Sequence, residues 1–166
     1  VLVAIPAFEL STKKARGALP QTVSMEDAVF NVSHSSLLTA ALAAGKLETL
    51  RHAMRDRLHQ PYRSGMIPGM AEVLRGAPDN GALGAVLSGA GPTLLMLVDR
   101  RDAGRGLLET YVADVMKAAG VDVSMQWFKP CSQGAYAVVF ESDRESEAPL
   151  GAPLAAMGHD RSEVKS

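Results

Sequence analysis

The clearest hydrophobic pattern in the chain is a pair of apolar runs, Leu83–Leu87 and Thr93–Val98, separated by a short loop. Apolar runs of this length, bounded by glycine and proline, predict two strands joined by a tight turn. The loop between them, Ser88-Gly89-Ala90-Gly91-Pro92, consists of small residues that allow another group to approach the backbone closely. Its successive N–H groups could form a concave nest for an anion, and a plain hairpin turn is the alternative interpretation.

The other periodicities predict helices and further strands. Strands mixed with helices and joined by tight hairpins favour an α+β fold, here a ferredoxin-like two-layer sandwich whose antiparallel sheet carries helices on one face. The last two predicted strands are expected to pair with each other in antiparallel fashion. In chain order, the remaining predicted elements are strand Val1–Ile5, helices Thr12–Leu19, Met25–Ala44, Leu47–Leu58 and Met70–Leu74, helix Asp102–Ala119, and strands Val121–Trp127 and Ala135–Phe140.

The composition changes near Glu141, where acidic residues crowd together and small residues follow. We therefore expect one domain over residues 1–141 and a polar, flexible tail over residues 142–166. At the other end, Val1–Ile5 has the pattern of a buried strand and no initiator methionine precedes it. This pattern is typical of a domain cut from a longer protein.

Charge and cysteine content exclude several classes of function. The chain has 166 residues and a formal net charge of −1, which gives no general attraction to nucleic acid or to a membrane surface. No run of apolar residues is long enough to predict a transmembrane helix. Because Cys131 is the single cysteine, no internal disulfide can form, which fits a reducing compartment such as the cytoplasm.

Most catalytic motifs are missing or lack the context they need. The Gly89-x-Gly91 pair precedes a strand rather than a helix, so it is not a dinucleotide fingerprint, and no Walker P-loop is present. On one helix His52 and His59 would be separated by about 10.5 Å of rise, which is too far to share a metal ion. We therefore expect no metal site, and the sequence assigns no catalytic base.

Two arginines remain as candidates for binding an anion. Arg16 lies four residues after Thr12, so a helix places both on one face, although a solvated surface charge is the simpler interpretation of Arg16. Arg63 follows Pro61 and Tyr62, which restrict the chain around it. Two arginines can orient a carboxylate, but they cannot act as a general base at neutral pH. These residues therefore amount to half of a site.

Four ordered stretches give the chain a specific family resemblance over about residues 1–140. They resemble the homoserine kinase family of the GHMP kinase superfamily, and in particular its C-terminal half. The SGAGPT loop alone would indicate only a GHMP kinase, whereas the STKKAR and LHQPYR stretches point to homoserine. The four stretches are Phe8–Arg16, Glu26–Asn31, Asp56–Arg63 and Leu87–Thr93.

The resemblance implies a reaction and a set of site residues. The whole enzyme would transfer the γ-phosphoryl group of ATP to the hydroxyl of L-homoserine in threonine biosynthesis, with Mg²⁺, and a homodimer is suggested. Arg16 and Arg63 match positions that grip the substrate carboxylate, with Thr12 near them. The loop residues Ser88, Gly89, Ala90 and Gly91 match the third family motif, which packs against the ATP phosphate loop and the substrate.

One departure from the family pattern is large. The PxxxGLGSSA phosphate loop is absent, and so is the N-terminal domain that holds the nucleotide and the magnesium ion. We therefore expect this chain to be catalytically inactive by itself. Two other functions remain open: the C-terminal domain of another GHMP small-molecule kinase, and a free-standing ferredoxin-like ligand-binding module. A neutral sugar substrate would have no use for paired arginines, and a free-standing module would have its start codon just before Val1.

Overall fold

The computed structural model describes residues 1–99, 101, 104–131, 133, 136–141 and 144–149. Most of the predicted elements are present in it. The strands are β1 (Leu2–Pro6), β2 (Gly84–Leu87), β3 (Leu94–Leu97), β4 (Val123–Trp127), β5 (Tyr136–Glu141) and β6 (Arg144–Pro149), and the helices are α1 (Thr12–Gly17), α2 (Met25–Ala44), α3 (Leu50–Ala53), α4 (Gln60–Arg63), α5 (Met70–Gly76) and α6 (Arg105–Ala118). Short 3₁₀ turns lie at Leu47–Thr49, Ser64–Met66 and Ala77–Asn80.

Four strands form one antiparallel sheet in the order β2-β3-β1-β4. In β1, Leu2 and Ala4 are fully buried and face the main core, because alternate residues of a strand point to the same side. The helices α5 and α6 contribute further core residues, including Met70, Leu108 and Met116. The predicted α+β sandwich with an antiparallel sheet is therefore confirmed.

A smaller apolar cluster packs α2 and α3 against residues of the β2–β3 hairpin that are not part of the main core. Val86 and Leu97 contact this cluster, which contains Leu50 and Met54. A Cβ atom at Gly84 would lie 2.5 Å from the sulfur of Met54, so glycine is needed for this close approach. The cluster holds α3 against β2, and with it the chain that leads towards α4.

The prediction of one helix over Leu47–Leu58 is wrong. The helical chain ends after Ala53, and Met54 caps it with a near-zero ψ of 8°. Downstream, the carboxylate of Asp56 accepts hydrogen bonds from the N–H groups of Leu58, His59 and Gln60. An aspartate that binds backbone N–H groups on its C-terminal side favours the start of a new helix over continuation of the old one.

The hairpin of β5 and β6 belongs to a second compact unit that begins at Pro130, whereas the first unit is Val1–Lys129. The strand expected at Ala135–Phe140 coincides with β5, which pairs with β6 in antiparallel fashion. The strand β6 is formed by residues that the sequence assigned to the tail. Residues 142, 143 and 150–166 of the expected tail lie outside the described residues. In the described part of the chain, no helix is long and apolar enough to cross a membrane.

Candidate functional site

Arg63 is the residue that joins the separate sequence motifs. It ends α4, whose first turn contains Pro61, and its side chain is only 7% exposed. Its Nε donates a hydrogen bond to the carbonyl of Ala15 in α1 at 3.2 Å. Its Nη1 donates to the carbonyl of Gly89 at 2.9 Å, and also lies 3.4 Å from Nδ1 of His59. One guanidinium therefore holds α1 and the glycine loop together.

The glycine loop forms the expected hairpin turn between β2 and β3. The N–H of Ser88 donates to the carbonyl of Thr93 at 2.8 Å, and the N–H of Gly91 donates to the carbonyl of Ser88 at 3.0 Å. Gly89 and Gly91 have φ values of 58° and 87°, which glycine adopts without strain. Among the described residues, the N–H groups of Gly89 and Ala90 have no acceptor. Two consecutive donors thus remain available, as the anion-nest interpretation requires.

Helix α1 carries the other two predicted site residues. Ser11, rather than Thr12, is its N-cap, and it accepts a hydrogen bond from the N–H of Lys14. Thr12 lines an open groove of about 550 Å³ together with Pro92 of the glycine loop. Arg16 is exposed in the last turn of α1, and its side chain makes no hydrogen bond or ion pair with the described residues. The structure therefore links Thr12 and Arg63 to the loop, whereas Arg16 stands free beside Ala15.

Asp56 is a positioning residue that sequence reasoning missed. In addition to the three backbone N–H groups, its carboxylate accepts a hydrogen bond from the side-chain amide of Asn31 in α2 at 2.7 Å. Burial raises the pKa of Asp56, but hydrogen bonds from Gln60, Asn31 and His59 outweigh burial and hold that pKa below its ordinary value. The signal was available in the sequence, because an aspartate shortly before a proline-containing first turn is a typical helix start.

Asn31 explains the polar middle of α2. Its side-chain oxygen accepts a hydrogen bond from the N–H of Arg57 at 2.8 Å, and its side-chain amide donates to the neighbouring Asp56. The Arg57 guanidinium lies 4.1 Å from the centre of the Phe30 ring and 3.0 Å from Oε1 of Glu26. Helix α2 therefore packs on the segment that leads to Arg63 through Asn31, whereas the hydroxyls of Ser33 and Ser36 donate to carbonyls of α2 itself.

We expect Asp56→Asn to lower the free energy of unfolding by about 1–3 kcal/mol at pH 7, because an amide cannot replace all the carboxylate acceptors. The native pKa is depressed, so this stabilisation is complete above the unfolded pKa of about 3.9 and is lost as the pH falls through the native pKa. Urea denaturation between pH 3 and pH 7 should show the difference between the two proteins shrinking only below about pH 4.

Asp79→Asn is the matched control. Its carboxylate pairs with Arg51 at 2.6 Å, but both side chains are more than half exposed. Such a pair contributes about 0–1 kcal/mol, so this variant should unfold like the unmodified chain at every pH. Equal losses for the two variants would contradict the role assigned to Asp56.

The described residues contain no group of three His, Cys, Asp or Glu side chains that could hold a metal ion. Cys131 is exposed and free. The site as described is therefore a set of arginine and backbone donors, which can bind and orient an anion but cannot by themselves transfer a group.

The chain is similar in sequence to a known family and to several of its members. Residues 38–113 match the family model described as GHMP kinases C terminal. The chain is 50% identical over 121 residues to a homoserine kinase of Deinococcus radiodurans, and this alignment covers 73% of this chain and 39% of the relative. It is 44% identical over 137 residues to a homoserine kinase of Moorella thermoacetica, which covers 82% of this chain and 45% of the relative.

A solved structure extends the similarity to the fold. The crystal structure of a homoserine kinase from Cytophaga hutchinsonii matches with a TM-score of 0.69 and 28% sequence identity, over 75% of this chain and 39% of that one. The chain therefore spans less than half the length of these relatives. The resemblance expected from the four sequence stretches is confirmed.

Proposed function

We propose that the chain, whose residues 38–113 match the C-terminal family model of the GHMP kinases, is the substrate-binding half of an ATP-dependent homoserine kinase. The whole enzyme would convert L-homoserine and ATP to O-phospho-L-homoserine and ADP, a step of threonine biosynthesis in the cytoplasm. A net charge of −1 is consistent with a small-molecule substrate and gives no reason to invoke nucleic acid or a membrane.

The observation that carries this proposal is the position of Arg63. Its Nε and Nη1 bind carbonyls of α1 and of the glycine loop, and neither partner is a carboxylate, so the positive charge remains available to a ligand. A buried guanidinium whose charge is not neutralised binds an anion strongly. Arg63 would bind the homoserine carboxylate from a fixed position. The exposed side chain of Arg16 would bind the same carboxylate from the solvent side, with Thr12 nearby.

The phosphate-transfer half of the reaction needs groups that this chain lacks. The free N–H groups of Gly89 and Ala90 suit an anionic oxygen, so Ser88–Gly91 would lie beside the ATP phosphates. Since no metal-binding cluster is found in the described residues, Mg²⁺ would be held by the N-terminal domain and by ATP itself. A homodimer would be the assembled form.

The test is ATP-dependent phosphorylation by the whole protein that contains this chain, with homoserine, mevalonate and galactose as substrates. We expect a kcat/KM for homoserine at least about a hundredfold above that for galactose, because a neutral sugar leaves two arginines without an anion. The isolated 166-residue chain should show no activity, because it lacks the phosphate loop.

Each outcome points to a different function. Preference for mevalonate or galactose would identify another GHMP kinase. Absence of kinase activity in the whole protein, or a start codon directly before Val1, would favour a free-standing ligand-binding module. Homoserine phosphorylation by the isolated chain would refute its assignment as half of an enzyme.

A further inference from the structure

A second cavity lies apart from the groove lined by Thr12. It has a volume of about 260 Å³ and is lined by residues from α3 to β2. Much of its lining is apolar, including the side chains of Met54, Met70, Leu74 and Pro78. Ligand pockets for drug-sized molecules span roughly 300–1,000 Å³, so this cavity suits a smaller molecule with an apolar body.

Three arginines, Arg51, Arg55 and Arg75, also line this cavity. Arg51 is paired with Asp79 at 2.6 Å, so its charge is already balanced. Arg55 is exposed, and its guanidinium lies 5.7 Å from the centre of the Phe30 ring. The exposed Arg75 makes no hydrogen bond, ion pair or ring contact with another described side chain. Two cationic groups at an apolar cavity are therefore available to a ligand.

The one acidic group in the lining does not cancel these charges. Asp56 lines the cavity, but its carboxylate accepts hydrogen bonds from three backbone N–H groups and from the amide of Asn31. Its charge is thus compensated locally by donors that the protein itself supplies. The cavity keeps a net positive character over an apolar lining.

We propose that this cavity is a second binding site, for a small carboxylate with a short aliphatic body. The aliphatic part would replace water against Met54, Met70 and Leu74, and the carboxylate would pair with Arg55 and Arg75. This combination matches the usual ligand pocket, which is mainly apolar with a few polar groups that fix orientation. The site is independent of the proposed kinase reaction, since it needs only the described fold of residues 51–85.

Helix α4 connects this cavity to the candidate site around Arg63. Gln60, which lines the cavity, is buried and accepts a hydrogen bond from the N–H of Leu87 at 2.7 Å. Gln60 begins α4 and Arg63 ends it. A carboxylate bound in the cavity would therefore contact the segment that carries Arg63.

Octanoate is a suitable probe, followed by NMR of methionine methyl groups in the 166-residue chain. Octanoate should shift the Met54 and Met70 signals in a saturable manner and leave Met25 and Met125 unchanged, because those two lie outside the cavity lining. Octanol, with the same tail and no charge, should bind at least about fivefold more weakly, as should acetate, which has the charge without the tail.

Variants distinguish binding at a specific site from nonspecific hydrophobic binding. Arg55→Ala and Arg75→Ala should each weaken octanoate binding about three- to tenfold. The control is Arg101→Ala, which should not change octanoate binding, because Arg101 is exposed and lies outside the cavity lining. All three positions are exposed, so folding should be preserved, and thermal unfolding verifies this. The proposal is overturned if octanol binds as well as octanoate, if the arginine variants bind normally, or if Met54 and Met70 do not respond.

Discussion

Replacing Arg63 with lysine is expected to raise the KM for homoserine at least about tenfold in the whole enzyme, with the KM for ATP changed less than about twofold. The guanidinium donates to the carbonyls of Ala15 and Gly89 at the same time, from Nε and from Nη1. A lysine ammonium is a single point charge, so it cannot hold both carbonyls and also face a substrate carboxylate. Steady-state kinetics, with the concentrations of homoserine and ATP varied in turn, measures the two KM values.

Arg16→Lys is the matched control for this prediction. Arg16 is exposed and its side chain makes no hydrogen bond with the described residues, so the proposed role would require only its charge. Lysine keeps that charge, and the KM for homoserine should change less than about threefold. Arg16→Ala should raise it clearly. If Arg63→Lys and Arg63→Ala both left the homoserine KM unchanged, the assignment of the substrate carboxylate to Arg63 would be wrong.

The fold was predictable wherever local signals agreed with each other. Ser24 and Gly45 cap α2 as expected, with the Ser24 hydroxyl accepting the N–H of Asp27 and Gly45 in the left-handed conformation. Two apolar runs around a glycine loop became the β2–β3 hairpin. Such elements form because their hydrogen bonds are satisfied within a short stretch of chain, so the sequence contains nearly all of the information.

The prediction failed where a distant contact decided the structure. Apolar spacing from Leu47 to Leu58 is correct for a helix, yet Asp56 binds Asn31 of α2 and the N–H groups ahead of it, and the helix ends at Ala53. Periodicity reports which residues are buried, but it does not report which polar side chain competes for the backbone. The strand β6 was not predicted from periodicity either, since its sequence is polar and acidic.

The candidate site residues could be named from the sequence, but the contacts among them could not. Proline before Arg63 indicated a stiffened arginine, and the loop indicated close approach, but nothing in the spacing showed that Nη1 of Arg63 binds the carbonyl of Gly89. The two residues are 26 positions apart. Contacts of this kind depend on how α4 and the hairpin pack against the same core, and that packing is a property of the whole domain.

Gly91→Ala is expected to lower the free energy of unfolding of the 166-residue chain by about 2–4 kcal/mol in urea denaturation. Gly91 has a φ of 87°, where an L side chain is strained. A Cβ atom there would also lie 2.8 Å from Cδ1 of Ile67 and 3.0 Å from Cδ1 of Leu87. Both side chains are buried in the main core, so neither can move aside without disturbing its neighbours.

Gly89→Ala separates the two causes, because it lies in the same loop and also has a positive φ, of 58°. A Cβ atom at Gly89 would meet nothing within 4 Å, so only the backbone strain of about 1–2 kcal/mol remains. The loss at Gly91 should therefore exceed the loss at Gly89 by at least about 1 kcal/mol. Equal losses would mean that Ile67 and Leu87 accommodate the methyl group freely, and that position 91 requires glycine only for its backbone angle.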